Sequence, residues 1–207
     1  MASISKSRHV LVLNPSIAAN NLQEFIALAK SKPGQLNYAS SGVGTNTHLS
    51  GELFDLMTGT KMQHIPYKGS GPLVSDLIGG QVQLSFQVPI SVISHIRSGK
   101  LKAIAITGET RASALPQVPT FAEAGLTGFG LMGWFGIVTP AGTPKEIIGK
   151  MSAEMAAILA KPDVQDFLAK QGSEAFVSTP GEVAALIKAD VAKYARVIKA
   201  ANVKIDQ

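Results

Sequence analysis

The chain contains no cysteine. Disulfides and thiolate chemistry are thereby excluded, while no compartment is. Aromatic residues make up only 6%, with a single tryptophan, Trp134. Charged residues amount to 16%, and the net charge of +5 is spread along the chain without a Lys/Arg block. Sparse aromatics and dispersed charge argue against a nucleic-acid partner and leave a mild pull on anionic solutes. No apolar run is long enough to span a bilayer. After the basic start only Val10–Leu13 is apolar, too short for the core of a signal peptide. His9, His48, His64 and His95 stand apart with no His-Glu-x-x-His pattern, so neither a metal site nor a cofactor is expected.

At 207 residues and 45% hydrophobic, the sequence describes a globular chain of one domain or two small lobes. It is organised around Tyr38–Glu52. Leu36–Ser40 ends a short buried strand. Ser40–Asn46 is small and polar, and Gly42 and Gly44 are free to take positive φ. Thr47 or Thr45 then caps a helix with Leu49, Leu53, Leu56 and Met57 on one face. A strand, a glycine loop and a helix start in that order make an anion site, because the first helical N–H groups lack internal partners. The loop is not a nucleotide cradle. A P-loop needs a Lys before its Ser/Thr, and the third glycine of a dinucleotide fingerprint is replaced by Thr47. A small anion, most simply a carboxylate, remains.

In chain order, strands are expected at Val10–Leu13, Met62–Ile65, Val82–Phe86, Leu101–Thr107, Trp134–Val138 and Ala175–Val177. Helices are expected after Asn20 or Asn21, from Pro72 and from Pro89. Further helices follow a Thr120/Glu123 capping box, a Thr143 cap with Pro144 and Glu146, Pro162, and a Thr179/Glu182 capping box. Strict alternation argues a parallel sheet with right-handed crossovers and ligands outside the carboxyl ends of its strands. Both Ser40–Asn46 and the loop Pro66–Pro72, which holds Tyr67 and Lys68, fall there. If their strands are neighbours, the two loops form one wall of one site.

Seven segments, in order, carry a resemblance. They are Leu-Asn-Tyr-Ala-Ser-Ser-Gly-x-Gly-Thr (36–45), His-Leu-Ser-Gly-Glu-Leu-Phe (48–54), His-Ile-Pro-Tyr-Lys-Gly-Ser (64–70) and Gly-Gly-Gln-Val (79–82). Gly-Lys-Leu-Lys-Ala-Ile-Ala-Ile-Thr (99–107), Leu-Pro-Gln-Val-Pro-Thr-Phe-Ala-Glu-Ala-Gly (115–125) and Trp-Phe-Gly-Ile-Val-Thr-Pro-Ala-Gly-Thr-Pro (134–144) follow. Together they resemble the substrate-binding receptors of tripartite tricarboxylate transporters, the Bug-type periplasmic solute-binding proteins. The resemblance implies an α/β, periplasmic-binding-protein-like fold, with parallel-rich sheets and flanking helices. It implies a small carboxylic acid ligand (a di- or tricarboxylate, an amino acid or an aromatic acid) delivered to membrane transporter subunits, and a periplasmic location. Without a signal peptide the chain as written would stay cytoplasmic. The family's pincer maps onto Ser40, Ser41, Gly42, Gly44, Thr45 and Thr47, with Tyr67 and Lys68 beside it.

Family members begin with a signal peptide and a first-lobe segment carrying a second pincer, which have no counterpart here. The resemblance then reads 1–13 as a first-lobe remnant and crossing strand, 14–130 as a complete second lobe and 131–207 as the returning part of an incomplete first lobe. Hinges are expected at Leu13–Pro15 and Thr127–Gly133. The apolar helix faces of the partial lobe would be left exposed, a route to self-association.

Two other classes of function compete. Ser41 with His48 would make a small α/β hydrolase, although no Gly-x-Ser-x-Gly elbow or acidic partner is evident. A vestigial fold without a ligand is the other. His48 reads as a capping or packing residue, Lys68 as a surface lysine or a contact to an acid, and Trp134 as core near the hinge. No enzymatic activity is expected.

Overall fold

The computed structural model describes residues 2–203. Two sheets divide the strands. The larger has the order β4-β3-β5-β2-β6 and the smaller β7-β1-β8. The larger is built from β2 (Val10–Leu13), β3 (Asn37–Ser40), β4 (Gln63–Pro66), β5 (Leu84–Gln87) and β6 (Lys102–Ile106). β1 (Ala2–Ser7), β7 (Gly133–Ile137) and β8 (Ser173–Ala175) form the smaller.

The pairing is more mixed than strict alternation implied. β3 lies parallel to β4 and β5, while β2 runs antiparallel to both β5 and β6. β3, β4, β5 and β6 therefore all point one way, with β2 reversed among them. The smaller sheet is antiparallel throughout, with β1 in its centre. No strand was expected at Ala2–Ser7, because its Ser/Lys-rich sequence carries little β signal. Val10–Leu13, grouped above with the first lobe, belongs instead to the larger sheet. The chain changes sheets at Arg8–His9, not at Leu13–Pro15. Arg8 fixes that crossing by donating to Glu174 of β8 (Nε–Oε1 3.1 Å) and to the Thr110 carbonyl.

All four residues of β2 are buried, and its alternate residues enter different cores. Leu11 and Leu13 join Phe25, Tyr38, Phe54, Phe86, Phe121 and Phe129. Val10 and Val12 join Leu73, Leu77, Val92 and Leu101. This is the period-2 geometry of a strand covered on both faces. Helices α1 (Leu22–Ser31) and α2 (Asn46–Thr58) cover the first face, and α3 (Ser70–Ile78) and α4 (Pro89–Arg97) the second.

Around the smaller sheet lie α5 (Lys145–Leu159), α6 (Pro162–Lys170) and α7 (Pro180–Ala200). Their burial is slight. Of the apolar face expected on α5 only Leu159 is buried, and α6 buries nothing. Ile147, Met151, Phe167 and Val191 stay exposed, as does Phe135 of β7. The apolar exposure expected of this part of the chain is present.

Asn21 caps α1 by accepting from the Glu24 amide (2.9 Å). Thr120 and Glu123 make both bonds of their capping box (2.8 and 3.1 Å), but only turns follow, because Gly125 at φ 92° ends the segment within a turn. Thr143 does not cap α5. Pro144 occupies the cap position, and the Thr143 hydroxyl donates back to the Pro140 carbonyl (2.8 Å). Thr179 and Glu182 do form a complete capping box at α7. Thr179→Ala should therefore cost about 1 kcal/mol in urea unfolding, and Thr143→Ala less than about 0.5 kcal/mol.

Candidate functional site

β3, β4 and β5 are parallel and each is followed, after a loop of one to five residues, by a helix. Their carboxyl ends thus bring the starts of α2, α3 and α4 to one edge of the larger sheet. The two loops singled out from sequence are indeed neighbours. The Tyr67 amide donates to the Ser40 carbonyl (2.9 Å) and the Gly69 amide to that of Ser41 (3.2 Å). A cavity of about 270 Å³ opens there, the volume of roughly nine liquid waters. Ser41, Thr45, Asn46, Thr47, Ser70, Gln87 and Val88 line it from the larger sheet. His9, Gly133, Trp134 and Phe135 line it from the crossing and β7.

Among the described residues no lysine or arginine lines this cavity. Its attraction for an anion rests on backbone. No side chain caps α2, α3 or α4. Thr45 occupies the cap position of α2 without a side-chain bond, so neither threonine acts as the cap expected above. Thr47 lies inside the first turn and its hydroxyl accepts from the Ser41 amide (2.9 Å). The Thr45 hydroxyl donates to the Gly42 carbonyl (2.7 Å). These bonds shape the loop and leave the first-turn amides of α2 to another acceptor.

Gly42 and Gly44 have φ of 142° and 77°, the positive values anticipated. Ser40 does not reach the cavity. It is fully buried, with its hydroxyl 2.6 Å from His64 Nε2. Tyr67 turns away, donating its hydroxyl to Asp76 (2.8 Å), and Lys68 is exposed. Neither lines the cavity. Gln87 and Val88 were missed, although their signal was available: Pro89 opens a third helix directly after a third strand. Trp134, read as core, faces the cavity and donates its indole N–H to Asp190 (2.9 Å).

The Ser41–His48 pair of a hydrolase does not form. The Ser41 hydroxyl meets that of Ser70 (3.2 Å). His48 Nδ1 accepts from the Gly44 amide (3.0 Å), and its Nε2 faces Glu52 (3.5 Å). Beside it lies His64. The two rings are stacked 3.7 Å apart at 6°, although sequence showed them as isolated. Tyr38 stacks on His64 (5.0 Å) and donates its hydroxyl to Glu52. Burial and the neighbouring His48 push His64 down to about 4. Burial raises Glu52, but its bonds from His48 and Tyr38 outweigh that and leave it lowered.

A larger cavity of about 510 Å³ opens beside the first, between Trp134 and α7. Ile187, Val191 and Ile198 make it mainly apolar, and only Asn46 brings a helix start to it. The smaller cavity is the better anion site for that reason.

The family model described as tripartite tricarboxylate transporter family receptor matches residues 1–203. The chain belongs to this family. Protein BugT of Bordetella pertussis is 37% identical over 196 residues, which cover 95% of this chain and 60% of that protein. A protein of R. palustris solved with adipate superposes at a TM-score of 0.93 with 31% identity, covering 97% of this chain and 67% of its own. MatC from Rhodopseudomonas palustris, with bound malate, gives a TM-score of 0.85 and 28% identity, with 95% and 68% covered. These neighbours establish the periplasmic-binding-protein-like α/β fold. The family consists of periplasmic solute-binding proteins, generally non-enzymatic. This TctC-family chain spans about 60% of the curated relative and about two thirds of the solved structures it matches. No helix among its described residues is long and apolar enough to cross a membrane.

Two outcomes test this geometry. A Cβ on Gly51 would lie 2.2 Å from the Tyr38 ring, so Gly51→Ala should lower stability by roughly 1–3 kcal/mol in urea unfolding. Burial at the crossing pushes His9 down to about 4 from its ordinary 6.5. The folded chain then binds fewer protons than the unfolded chain between those values. His9 therefore contributes stability that is complete above pH 6.5 and lost as pH falls toward 4, at most about 3 kcal/mol. Unfolding at neutral and acid pH should show a smaller acid loss in His9→Asn than in the native chain.

Proposed function

We propose that the 270 Å³ cavity holds the carboxylate of a small organic acid, and that the chain serves as a periplasmic receptor delivering that acid to membrane transporter subunits. The convergence of three helix starts without side-chain caps carries this reading. Each offers about 0.3–1 kcal/mol to a carboxylate, and up to about 2 kcal/mol when partly buried. α4 adds fewer amide hydrogen bonds than α2, because Pro89 lacks an N–H and the Ser91 amide is bonded to the Val88 carbonyl. Adipate and malate in the solved neighbours, each with two carboxylates, support a dicarboxylic acid as the solute class. Ser41, Thr45 and Thr47 contact the acid, while Gly42 and Gly44 hold the loop's shape. Ser40 supports them from behind.

The two sheets correspond to two lobes. Residues 10–130 make the lobe that presents the helix starts. The smaller sheet and its helices make the other, which faces the acid with Trp134 and Phe135. Lobe movement centres on Arg8–His9 and on the stretch before Gly133. The exposed apolar faces of α5 and α6 are a surface through which copies can associate.

At about 0.3–1 kcal/mol each, three helix starts supply about 1–3 kcal/mol against the roughly 8 kcal/mol that micromolar affinity requires, and ordering the ligand and loop offsets part of what the hydroxyl bonds add. Adipate titrated against Trp134 fluorescence should bind with a Kd on the order of millimolar. Gly44→Val should abolish that binding while far-UV circular dichroism stays unchanged, because a β-branched residue resists the φ of 77°. An acid found bound elsewhere with this loop empty, or undiminished binding by Gly44→Val, would overturn the assignment.

A further inference from the structure

Beneath the loop, the stacked rings of His48 and His64 have no part in contacting an acid. Their placement nevertheless controls the loop. A backbone amide can only donate, so the bond from Gly44 N–H (3.0 Å) requires His48 Nδ1 to be unprotonated. The ring's proton then sits on Nε2, facing Glu52 Oε1 at 3.5 Å. His64 holds the other end of the loop through the Ser40 hydroxyl (2.6 Å). Ser40 in turn accepts from the Gly42 amide (3.2 Å). The two rings thus grip both glycines that give the loop its shape.

We propose that the stacked His48–His64 pair is a proton-operated latch, holding the Ser40–Thr47 loop in its anion-binding form only while His48 Nδ1 is unprotonated. This rests on the reading of that loop as the carboxylate site. The chemistry follows from the geometry. Protonating His48 at Nδ1 sets one N–H against another, and the Gly44 amide loses its acceptor. A second proton cannot be accommodated readily, since the rings lie 3.7 Å apart at 6°.

The ionisable groups facing the pair are few. From α2, Glu52 faces His48, with Asp55 close behind. From β3 comes Tyr38, which stacks on both rings. From β4 there is only His64 itself, and Lys68 in the loop beyond is exposed. Glu52 therefore decides which ring can carry a paired charge, namely His48. An imidazolium paired with Glu52 adds little net charge beneath the cavity. The loop's altered shape, and not added attraction, then governs binding, and acid weakens it.

The test uses the full chain without ligand first. The Gly44 amide and the His48 ring are followed by NMR from about pH 8 to about pH 5, where imidazoles titrate. Hydrogen-exchange protection of Gly44 should fall in step with His48 protonation, while amides of α1 keep theirs. His48→Asn supplies a non-titrating acceptor at the Nδ1 position, and His48→Gln serves if that variant does not fold. In either, Gly44 protection should not change with pH. Protection that persists through His48 titration, or is lost equally in the variant, would overturn the latch. In the second arm adipate is titrated across the same range. Its affinity should fall by up to about tenfold per pH unit below the His48 transition, beyond any loss in His48→Asn, which shares the ligand's own protonation. Equal losses in both proteins would sever the latch from the anion site and overturn the proposal. If adipate and malate bind at no pH, the carboxylate assignment fails, and the Gly44 amide still decides whether the latch exists.

Discussion

β2 lies antiparallel between β5 and β6, with its first residue, Val10, beside Gln87 and Ile106, the last residues of those strands. The chain therefore enters the larger sheet at the same edge where its four parallel strands end. β6 also leaves at that edge, and the smaller sheet is reached through both crossings. Cleft, crossings and helix starts are consequently gathered on one side of the molecule. A parallel β2 would have delivered its chain to the opposite edge. Full burial of β2, with alternate residues in two cores, makes that direction costly to change.

The proposed binding of an anion without a cation depends on this gathering. A single helix start offers little to a carboxylate in water. Three gathered at one sheet edge offer more, because an unpaired amide is already oriented and needs no side chain to be ordered. Local sequence reflects the division of labour. α1 and α7, away from the cavity, are capped by Asn21 and Thr179. α2, α3 and α4 have no side-chain cap, and the threonines that could cap α2 tie the loop together instead. α5 and α6 also lack side-chain caps, but Pro144 and Lys161 at their starts are exposed, where water can satisfy the amides.

Beneath the loop, stacked imidazoles replace the apolar packing found elsewhere in the core. Tyr38, His64, His48 and Glu52 form a chain of ring contacts and hydrogen bonds ending at the Gly44 amide. Gly51 has no side chain because the Tyr38 ring occupies that space. The loop's conformation is thus tied to buried groups whose charge state can change, unlike the aliphatic residues that fix β2.

Sequence alone determined the local features. Alternating and helical periodicities located six of the eight strands among the described residues, met β8 only at Ala175, and located the principal helices. Gly42 and Gly44 announced positive φ, and Thr179 with Glu182 announced a capping box, because each depends on residues within one turn of each other. The loop Ser40–Thr47 was recognisable for the same reason. Tertiary structure decided whatever depends on pairing between distant segments. It placed Ala2–Ser7 as a central strand, since Ser and Lys pair there with β7 and β8 without an apolar signal of their own. It reversed β2, brought Gln87 and Trp134 to the cavity and turned Tyr67 and Lys68 away from it. It also stacked His48 on His64, sixteen residues apart in sequence. Side-chain identity within one segment carries turn chemistry and periodicity. Which strand lies beside which is settled only when long-range burial selects one pairing from many that local pattern allows.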